Sequence, residues 1–489
     1  MKPTAGFVKG TVREMVEQKR KVDFTQGKLF FKILWFILPI VATNLLQAFY
    51  SSADMMIVSL SADANAVGAV GTTTSFISLI VHAFIGFSVG ANVVVARNIG
   101  AGDESGRKKA IHTALLIAVF FGVVGAVVGA GISRAVLMAM GNRGSLLELG
   151  VRYTYFYFLG VPFLALTNYL IAIFRAKGDS KTPLTVLLFA GLVNVGLDLF
   201  FVLALKTSVE GVAVATVIAN VFSCLVLLIK LKKTGDFSFK SLKIELKALK
   251  DIIFIGFPAA IQGTLAYFSN MLIQSSIVTV NNLVCSPDSD YQAVVNGCAA
   301  GRSLSHFVHT AQNGVYQGVI TFTSQNIGAN KPKRVYKIMS ICCLFTTSIG
   351  LSLAMLIFLF KAPLLALYGV TVGTAGSLQS IAYQAATTHL LFVCLPYFLN
   401  GLLEVGIGTL RGMGKSTLSM ILSFVGVCVL RILWILVVFP LRQTLEVVYI
   451  CYPITWIITA IAVFVCVFAL LNQKIKLNEV KNESSNVGK

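Results

Sequence analysis

The residues from Pro39 to Asp54 carry polar groups inside an apolar run that is long enough to cross a bilayer. Gln47, Tyr50 and Asp54 are spaced 0, 3 and 7, so they share one face of a helix. An ionisable side chain in a membrane segment costs several kcal/mol, and such residues usually face a wet cavity or a polar partner. We therefore predict that Asp54 belongs to a functional site; the alternative is a buried acid that a neighbouring serine hydroxyl satisfies.

Polar groups also recur at helical spacing in later apolar segments. Asn194 and Asp198 are four residues apart in the fifth segment and therefore lie on one face. The seventh and eighth segments carry two polar stripes, Gln262, Asn270, Gln274 and Asn281, and then His306, His309, Asn313 and Gln317. Such stripes require an interior surface, and they predict a hydrogen-bonding wall rather than a metal site, because the histidine pair has no third ligand nearby.

The composition is that of a polytopic membrane protein. Of 489 residues, 56% are hydrophobic and only 12% are charged, and the mean hydropathy is +0.82. Residues 1–28 are polar and basic without the short apolar core of a cleavable signal, so we expect the first apolar segment to stay as a transmembrane helix. The predicted fold class is an all-α polytopic membrane protein.

Twelve apolar segments of roughly spanning length can be placed along the chain. They lie near residues 30–60, 66–96, 110–133, 150–174, 183–205, 210–229, 252–282, 300–327, 336–360, 383–410, 416–440 and 446–471. The side that holds both termini then carries 32 Lys and Arg residues, against 5 in the opposite loops. The positive-inside rule predicts cytoplasmic termini in the plasma (inner) membrane. Because the net charge of +20 follows this topology, it favours anionic lipid over nucleic acid as a partner.

Short motifs recur in the same order in the two halves of the chain. The matching pairs are Pro39 with Pro258, residues 97–101 with 325–329, and residues 174–178 with 410–414. Six segments in each half predict two six-helix lobes related by an axis along the membrane normal, as parallel repeats are. The predicted organisation is a basic N-terminal segment (1–29), an N-lobe (30–229), a cytoplasmic linker (230–250), a C-lobe (251–471) and a cytoplasmic tail (472–489).

These motifs resemble those of the multidrug and toxic compound extrusion (MATE) family. The resemblance rests on Asn-Ile-Gly-Ala after the second segment of each half, on Arg-x-x-Gly after the fourth, and on the Gly-x-Pro openings at Gly160 and Gly256. It covers about residues 30–471. It implies a V of twelve helices in two lobes, and cation-coupled export of organic, often cationic, compounds.

The resemblance also implies a cation-coupling site. Asp54, Asn194, Asp198 and Thr216 match the positions of the family's N-lobe site. Two carboxylates in a low-dielectric pocket cannot both ionise cheaply, so one holds a proton near neutral pH or both share a cation. Neutral Asn and Thr oxygens suit a hard ion. The expected coupling ion is therefore H⁺ or Na⁺, with Na⁺ bound at Asp54 and Asp198, and no cofactor is expected.

The second lobe differs from that of NorM-like members of the family. Those members have a glutamate where this chain has Ala266 and Tyr267 and an aspartate where it has Asn400, so the chain resembles the DinF-like branch more closely. Glu404 is either a coupling or substrate group or a structural partner, and its expected difference in depth from Arg431, roughly 12 Å, argues against a direct pair. The residues expected to bind substrate are Gln47, Tyr50, Asn168, Gln262, Asn270, His309, Asn313 and Glu404.

The favoured function is that of a monomeric antiporter that exports small organic compounds by alternating access. The alternative is a lipid-linked oligosaccharide flippase of the same wider superfamily, but such proteins usually need basic cavity residues for phosphate, and the best-matched lobe here is acidic. An enzyme is least favoured, because the sequence has no catalytic metal motif and no nucleophile with a base.

Two connections carry further predictions. The linker 230–250 has basic and apolar residues at helical spacing, so we expect either a helix on the inner membrane surface or a plain solvated connector. Cys285 and Cys298 fall in the predicted outward loop 283–299 and are expected to form a disulfide in an oxidising exterior.

Overall fold

The computed structural model describes residues 24–60, 66–285 and 292–487, except the side chains of residues 67, 75, 265–272, 481, 482 and 484–487. Its regular structure is helical, and twelve long helices are joined by short connections. They are α1 (Leu29–Val58), α2 (Ala66–Gly100), α3 (Glu104–Ala139), α4 (Gly144–Ala176), α5 (Lys181–Ala204), α6 (Val209–Lys233), α7 (Leu246–Val284), α8 (Ala293–Gly328), α9 (Pro332–Leu359), α10 (Leu378–Gly412), α11 (Ser416–Leu441) and α12 (Leu445–Val487).

Ten of these helices, all except α7 and α8, are long and apolar enough to cross a membrane. The other two have 39 and 36 residues and carry the two polar stripes. Large apolar side chains such as Phe120, Val127 and Leu436 remain exposed on the ten, as a lipid-facing surface requires. The predicted class of an all-helical, multi-pass membrane protein is confirmed.

The Arg-x-x-Gly motifs owe their glycine to the turn they form. Gly178 and Gly414 have φ values of 79° and 80°, in the left-handed region that costs glycine little and other residues more. Each glycine reverses the chain at the end of one helix, α4 or α10, and leads into the next. The same backbone requirement therefore recurs in both halves of the chain.

The two halves, here the N-half (α1–α6) and the C-half (α7–α12), meet at the face where α2, α4, α8 and α10 end. A Cβ atom on Gly100 would overlap the Gln325 carbonyl oxygen, and one on Gly328 would overlap the Arg97 carbonyl oxygen. The two Asn-Ile-Gly-Ala motifs thus cross backbone to backbone, each glycine against the residue directly before the other motif. This reciprocal contact is what a duplicated chain related by a two-fold axis would form.

The same reciprocity continues deeper between the halves. Gly86 of α2 lies against the backbone of Ala260 of α7, and Gly314 of α8 lies against Val41 of α1. Small residues allow this close approach of helices, which is how helices associate where the hydrophobic effect cannot drive them together. α1 and α2 therefore form the N-half surface that packs on the C-half.

The linker between the halves differs from the expected surface helix. α6 ends at Lys233, a single 3-10 turn occupies Phe239–Ser241, and α7 begins at Leu246. Asp236 is buried and pairs with Arg107 at 2.8 Å and with Lys177. The prediction of an interfacial helix is wrong, because buried ion pairing holds this segment against the end of the N-half.

The expected disulfide is also corrected by the structure. Cys285 and Cys298 are both buried with free thiols rather than a disulfide. Cys298 lies inside α8 and faces the Tyr449 hydroxyl, while the Cys285 sulfur lies 3.6 Å from Asn281 Oδ1. The chain beyond residue 471, predicted as a cytoplasmic tail, is helical as the continuation of α12 to Val487, and its side of the membrane stays a prediction.

Candidate functional site

An acidic pocket lies between α1 and α5 in the N-half. The carboxyl groups of Asp54 and Asp198 are within hydrogen-bonding distance of each other. Asp198 is fully buried, and Asn194, one turn earlier on α5, is 6% exposed. Asp54 Oδ1 and both carboxylate oxygens of Asp198 have no hydrogen-bond donor among the described residues. Two acids in contact without a donor can share a proton or bind a cation between them.

The surroundings of this acidic pocket are apolar and aromatic. Tyr153 and Tyr157 of α4 lie within electrostatic reach of the Asp54 carboxylate, and Tyr153 is buried. Directly after Leu199, α5 widens into a π-helical turn, Phe200–Ala204. Single π-helical turns occur frequently at functional sites, and this one begins two residues after the buried Asp198. The sequence signalled neither the tyrosine pair nor the turn as part of the site.

Thr216, the fourth predicted member of the cation site, donates its hydroxyl to Val212 O at 3.0 Å within α6. Its oxygen can still accept or bind a cation, but the structure gives no hydrogen bond between Thr216 and the described aspartates. Asn194 Nδ2 has no described acceptor, so this amide remains available to the pocket. The structure thus brings Asp54 and Asp198 together, with Asn194 one turn earlier on the same face of α5, and the roles of Asn194 and Thr216 stay predictions.

Of the three N-half residues predicted to bind substrate, two have partners elsewhere and the third is exposed. The Tyr50 hydroxyl donates to Leu188 O at 3.2 Å, and its ring fills the space beside Gly191 of α5. Asn168 donates to Leu164 O of its own helix at 3.0 Å, and Gln47 is exposed on α1. Their role in substrate binding stays a prediction.

α1 links the acidic pocket to the other half of the molecule. Its first part packs along α8, where Asn44 Nδ2 donates to Thr310 O at 3.4 Å and Val41 lies against Gly314. Its last turns pack on α5 through Tyr50 and Asp54. A change in the acidic pocket can therefore act on the contact between the halves through a single helix.

A second polar region is a cavity of about 700 Å³, bounded mainly by α2, α7, α8, α10 and α11. Four of the predicted substrate residues, Gln262, His309, Asn313 and Glu404, line it together. Asn270, also predicted, lies outside the residues whose side chains the structure describes. The polar stripe of α8 thus faces this cavity, while the α7 stripe contributes Gln262 alone among its described side chains.

Glu404 is the one carboxylate among the described residues that line the cavity. Its Oε1 lies 3.6 Å from His309 Nδ1, and it also bonds the Asn400 side chain. Its second oxygen has no described partner. Arg431 makes no ion pair with Glu404; its Nε donates to Thr455 Oγ1 at 3.2 Å, and its guanidinium lies 4.0 Å from the Tyr452 ring centre. The expectation that these two do not pair is confirmed.

Four arginines in the cavity wall were not predicted as site residues: Arg175, Arg302, Arg411 and Arg431. With neutral histidines and Glu404 ionised, the described lining carries a net charge of +3. The signal that could have found two of them was the repeated motif itself, since Arg175 and Arg411 are its first residues. The sequence-based expectation of an acidic site thus holds for the pocket at Asp54 and not for the cavity.

Comparison with known proteins matches the two halves of the chain separately. The MatE family model matches residues 39–200 and residues 266–437, together more than half of the sequence. The chain belongs to the MATE family. The two matched stretches coincide with the N-half and the C-half, and MATE proteins are transporters rather than enzymes.

Individual relatives agree with this assignment. The chain is 27% identical over 399 residues to "Probable multidrug resistance protein YoeA" of Bacillus subtilis, covering 79% of this chain and 82% of the relative. It is 23% identical over 420 residues to "Multidrug export protein MepA" of Staphylococcus aureus, covering 84% and 88%. A solved structure described as the outward-facing conformation of a multidrug resistance MATE family transporter has a TM-score of 0.83 and 19% identity, covering 94% and 99%, and it shares the MATE fold.

Proposed function

We propose that this MATE transporter is a monomeric multidrug exporter that exchanges small organic compounds for H⁺ or Na⁺ by alternating access. In this proposal all twelve long helices cross the plasma membrane in two six-helix lobes, with both termini in the cytoplasm. The reciprocal glycine contacts support the two lobes, and the excess of Lys and Arg on one side supports the orientation. The names of the relatives YoeA and MepA support the export of several drugs.

The observation that carries the proposal is the contact of the Asp54 and Asp198 carboxyl groups without a described donor. A buried pair of this kind binds a proton or a cation strongly in one arrangement of its helices and weakly in another. Asn194 and Thr216 add neutral oxygens for Na⁺. The pocket is therefore the coupling site for H⁺ or Na⁺, and the protein needs no cofactor.

Coupling requires that ion and substrate favour different states of the same equilibrium, since a ligand that binds both states equally shifts nothing. In the proposed cycle, a cation from outside neutralises the acidic pocket and repacks α1 near Pro39. Proline removes one backbone hydrogen bond there, and the Thr43 hydroxyl donates to Pro39 O at 2.7 Å. Because α1 also packs on α8, this movement weakens the grip on a substrate in the cavity.

Substrate binding is assigned to the arginine-lined cavity, which α2 and α4 of the N-half and helices of the C-half form together. Glu404 can face a cationic group, and Tyr397 and Trp456 offer aromatic surface to a flat body. Asn400 occupies the position of the aspartate of NorM-like members, which supports placement in the DinF-like branch. Glu404 then serves substrate binding rather than ion coupling.

A second candidate function, the flipping of lipid-linked oligosaccharides, is favoured by the four cavity arginines. The sequence-based argument against it was the lack of basic cavity residues, and that argument does not apply to this cavity. Flipping of a fluorescent phosphate-linked lipid in liposomes without an ion gradient would support it.

Proteoliposomes test the main proposal. An imposed pH or Na⁺ gradient should drive uptake or release of ethidium, an aromatic cation, by the wild-type protein. Asp54→Asn should fold and insert normally and lose this ion-driven flux. Wild-type coupling in Asp54→Asn, or ethidium flux that ignores both gradients, would refute the proposal.

Thiol labelling tests the orientation. In a cysteine-free background, single cysteines at Lys240 or Lys333 should react only with reagent that reaches the cytoplasm. A cysteine at Arg442, exposed between α11 and α12, should react in intact cells. Labelling of the Lys240 position in intact cells would reverse the orientation.

A further inference from the structure

The arginine-lined cavity holds more positive charge than its protein groups neutralise. Arg411 and Arg431 are each only 6% exposed, and neither makes an ion pair within the described part of the chain. The cavity's carboxylate, Glu404, is within electrostatic reach of Arg411 but is in closest ionic contact with His309. Buried charges without a counter-charge are costly, and proteins normally keep them paired.

Arg175 and Arg411 occupy equivalent places in the two halves and reach adjacent residues of α8. Arg175 donates to the Gln317 side chain, and Arg411 donates to the Tyr316 hydroxyl and, at 2.6 Å, to Gln262 Oε1. Both guanidinium groups are thus held by neutral acceptors, which fix their position without cancelling their charge. The Nε–H of each has no described acceptor and remains available for a ligand.

The other two arginines lie further along the same cavity. Arg431 is held by Thr455 and by the faces of Tyr452 and Trp456, at 4.0 and 5.8 Å from the ring centres. Arg302 is exposed and donates to Gln274 Oε1 at 2.5 Å. Aromatic rings and amides orient these guanidinium groups and again leave their charge uncompensated.

We propose that this cavity binds amphiphilic organic anions, with a carboxylate, sulfonate or phosphate group on Arg411 and an apolar body along Tyr397 and Trp456. Guanidinium groups bind such oxyanions with short, charge-assisted hydrogen bonds, which are strong where water is excluded. This inference rests on the proposed transport function, since it names a substrate class for the same cavity. It goes beyond the cationic compounds that the family resemblance implies.

Equilibrium binding tests the proposal without an ion gradient. The protein is placed in phosphatidylcholine nanodiscs, and its affinity for taurocholate, an amphiphilic sulfonate, is measured by titration calorimetry below the critical micelle concentration. We expect saturable binding that weakens with salt, and an increase of about tenfold or more in Kd in Arg411→Gln. Arg302→Gln, whose side chain is exposed, should weaken binding to a lesser degree without affecting folding.

Control variants test whether the loss of taurocholate affinity is specific to the cavity arginines. Arg134→Gln removes an exposed arginine that is paired with Glu148 at 2.8 Å, outside the cavity, and should leave the Kd unchanged. Arg411→Lys should keep part of the affinity that Arg411→Gln loses. Nanodiscs that contain phosphatidic acid show the source of the ligand: competition with taurocholate assigns the site to lipid phosphate as well, and its absence assigns it to free amphiphiles.

Taurocholate binding that is the same in wild type, Arg411→Gln and Arg302→Gln would overturn the proposal and leave the arginines a purely structural role. Failure of the coupling proposal has a different signature. Asp54→Asn should bind taurocholate normally in this assay, whether or not it transports.

Discussion

The acidic pocket and the arginine-lined cavity have opposite charge, although the two halves that contain them share one plan. In the N-half, two carboxylates touch without a described donor. In the cavity, three arginines of the C-half and Arg175 of the N-half accompany a single glutamate. Both regions adjoin π-helical turns, Phe200–Ala204 in α5 and Phe424–Val429 in α11, the corresponding helix of the C-half. The backbone is therefore similar in the two regions, and the side chains determine which ion each region attracts.

The repeat shows where this difference arose. Asp54 lies 15 residues after Pro39, and the residue 15 after Pro258 is Ile273, an apolar lining residue of the cavity. Conversely, Asn168 lies seven residues before Arg175, and Glu404 lies seven before Arg411. Each half thus has an acid where the other has a neutral residue. In the proposal above, one duplicated scaffold thus serves ion coupling in one half and substrate binding mainly in the other.

The largest expected effect is that of Asp198→Asn. This variant removes an ionisable group from the acidic pocket at nearly constant size, so gradient-driven ethidium flux should fall to the level of protein-free liposomes. Taurocholate binding in the cavity should be unchanged. Flux in proteoliposomes and calorimetry on the same preparation measure the two properties.

Asp103→Asn is the matched control for Asp198→Asn. Asp103 is exposed and caps α3 by accepting from Gly106 N at 2.8 Å, a bond that asparagine can also make. It should transport normally. Full coupling in Asp198→Asn would show that the two halves are not divided in the way proposed.

Gly100→Ala and Gly328→Ala should have the next largest effect, and the two should be equal. In each, the new methyl group meets a backbone carbonyl of the other half, so we expect a loss of about 1–3 kcal/mol in the free energy of unfolding and slower transport. Gly131→Ala, on an open helix face, should be neutral. Thermal unfolding measures the change in stability. A loss of stability in only one of the two variants would show that the two glycine contacts are not equivalent, although the two motifs are similar in sequence.

Glu404→Gln should have a smaller effect, which lowers the transport of a cation and strengthens the binding of an anion. It removes the carboxylate next to His309 and leaves the arginines less balanced, so ethidium flux should fall by about threefold while taurocholate binds more tightly. Gradient coupling should persist. Complete loss of coupling in this variant alone would move the coupling site to the C-half.

Much of the fold could be predicted from the sequence, because helices in lipid need long apolar runs and glycine turns between them. The twelve predicted segments all correspond to helices, and the repeated motifs mark the contact between the halves. The linker could not be predicted in this way. Its conformation depends on the burial of Asp236 against Lys177 and Arg107, which lie far from it in sequence.

The candidate site, like the fold, could be predicted from the sequence only in part. An acid in an apolar run is conspicuous, so Asp54 and Asp198 stood out from the sequence, as did the stripe of α8. Arg175 and Arg411 were hidden because arginine at a helix end is normally a topology signal. Tyr50 was predicted to share the site of Asp54 because both residues lie on one face of α1. Helical spacing predicts that face, but it does not predict which residue of another helix the side chain contacts. In the structure that neighbour is Leu188 of α5.

The smallest expected effect is that of Tyr50→Phe. This variant tests whether substrate contacts reach from the cavity to the acidic pocket. The variant loses one hydrogen bond to Leu188 O, worth about 0.5–1.5 kcal/mol, while the ring still packs beside Gly191. If Tyr50 only joins α1 to α5, the melting temperature should fall slightly, and the KM for ethidium should stay within about twofold of wild type. If Tyr50 binds substrate, as its spacing from Asp54 predicted, KM should rise with little change in melting temperature. Measuring both in the same proteoliposome preparation decides whether substrate contacts stop at the cavity or extend along α1 to the acidic pocket.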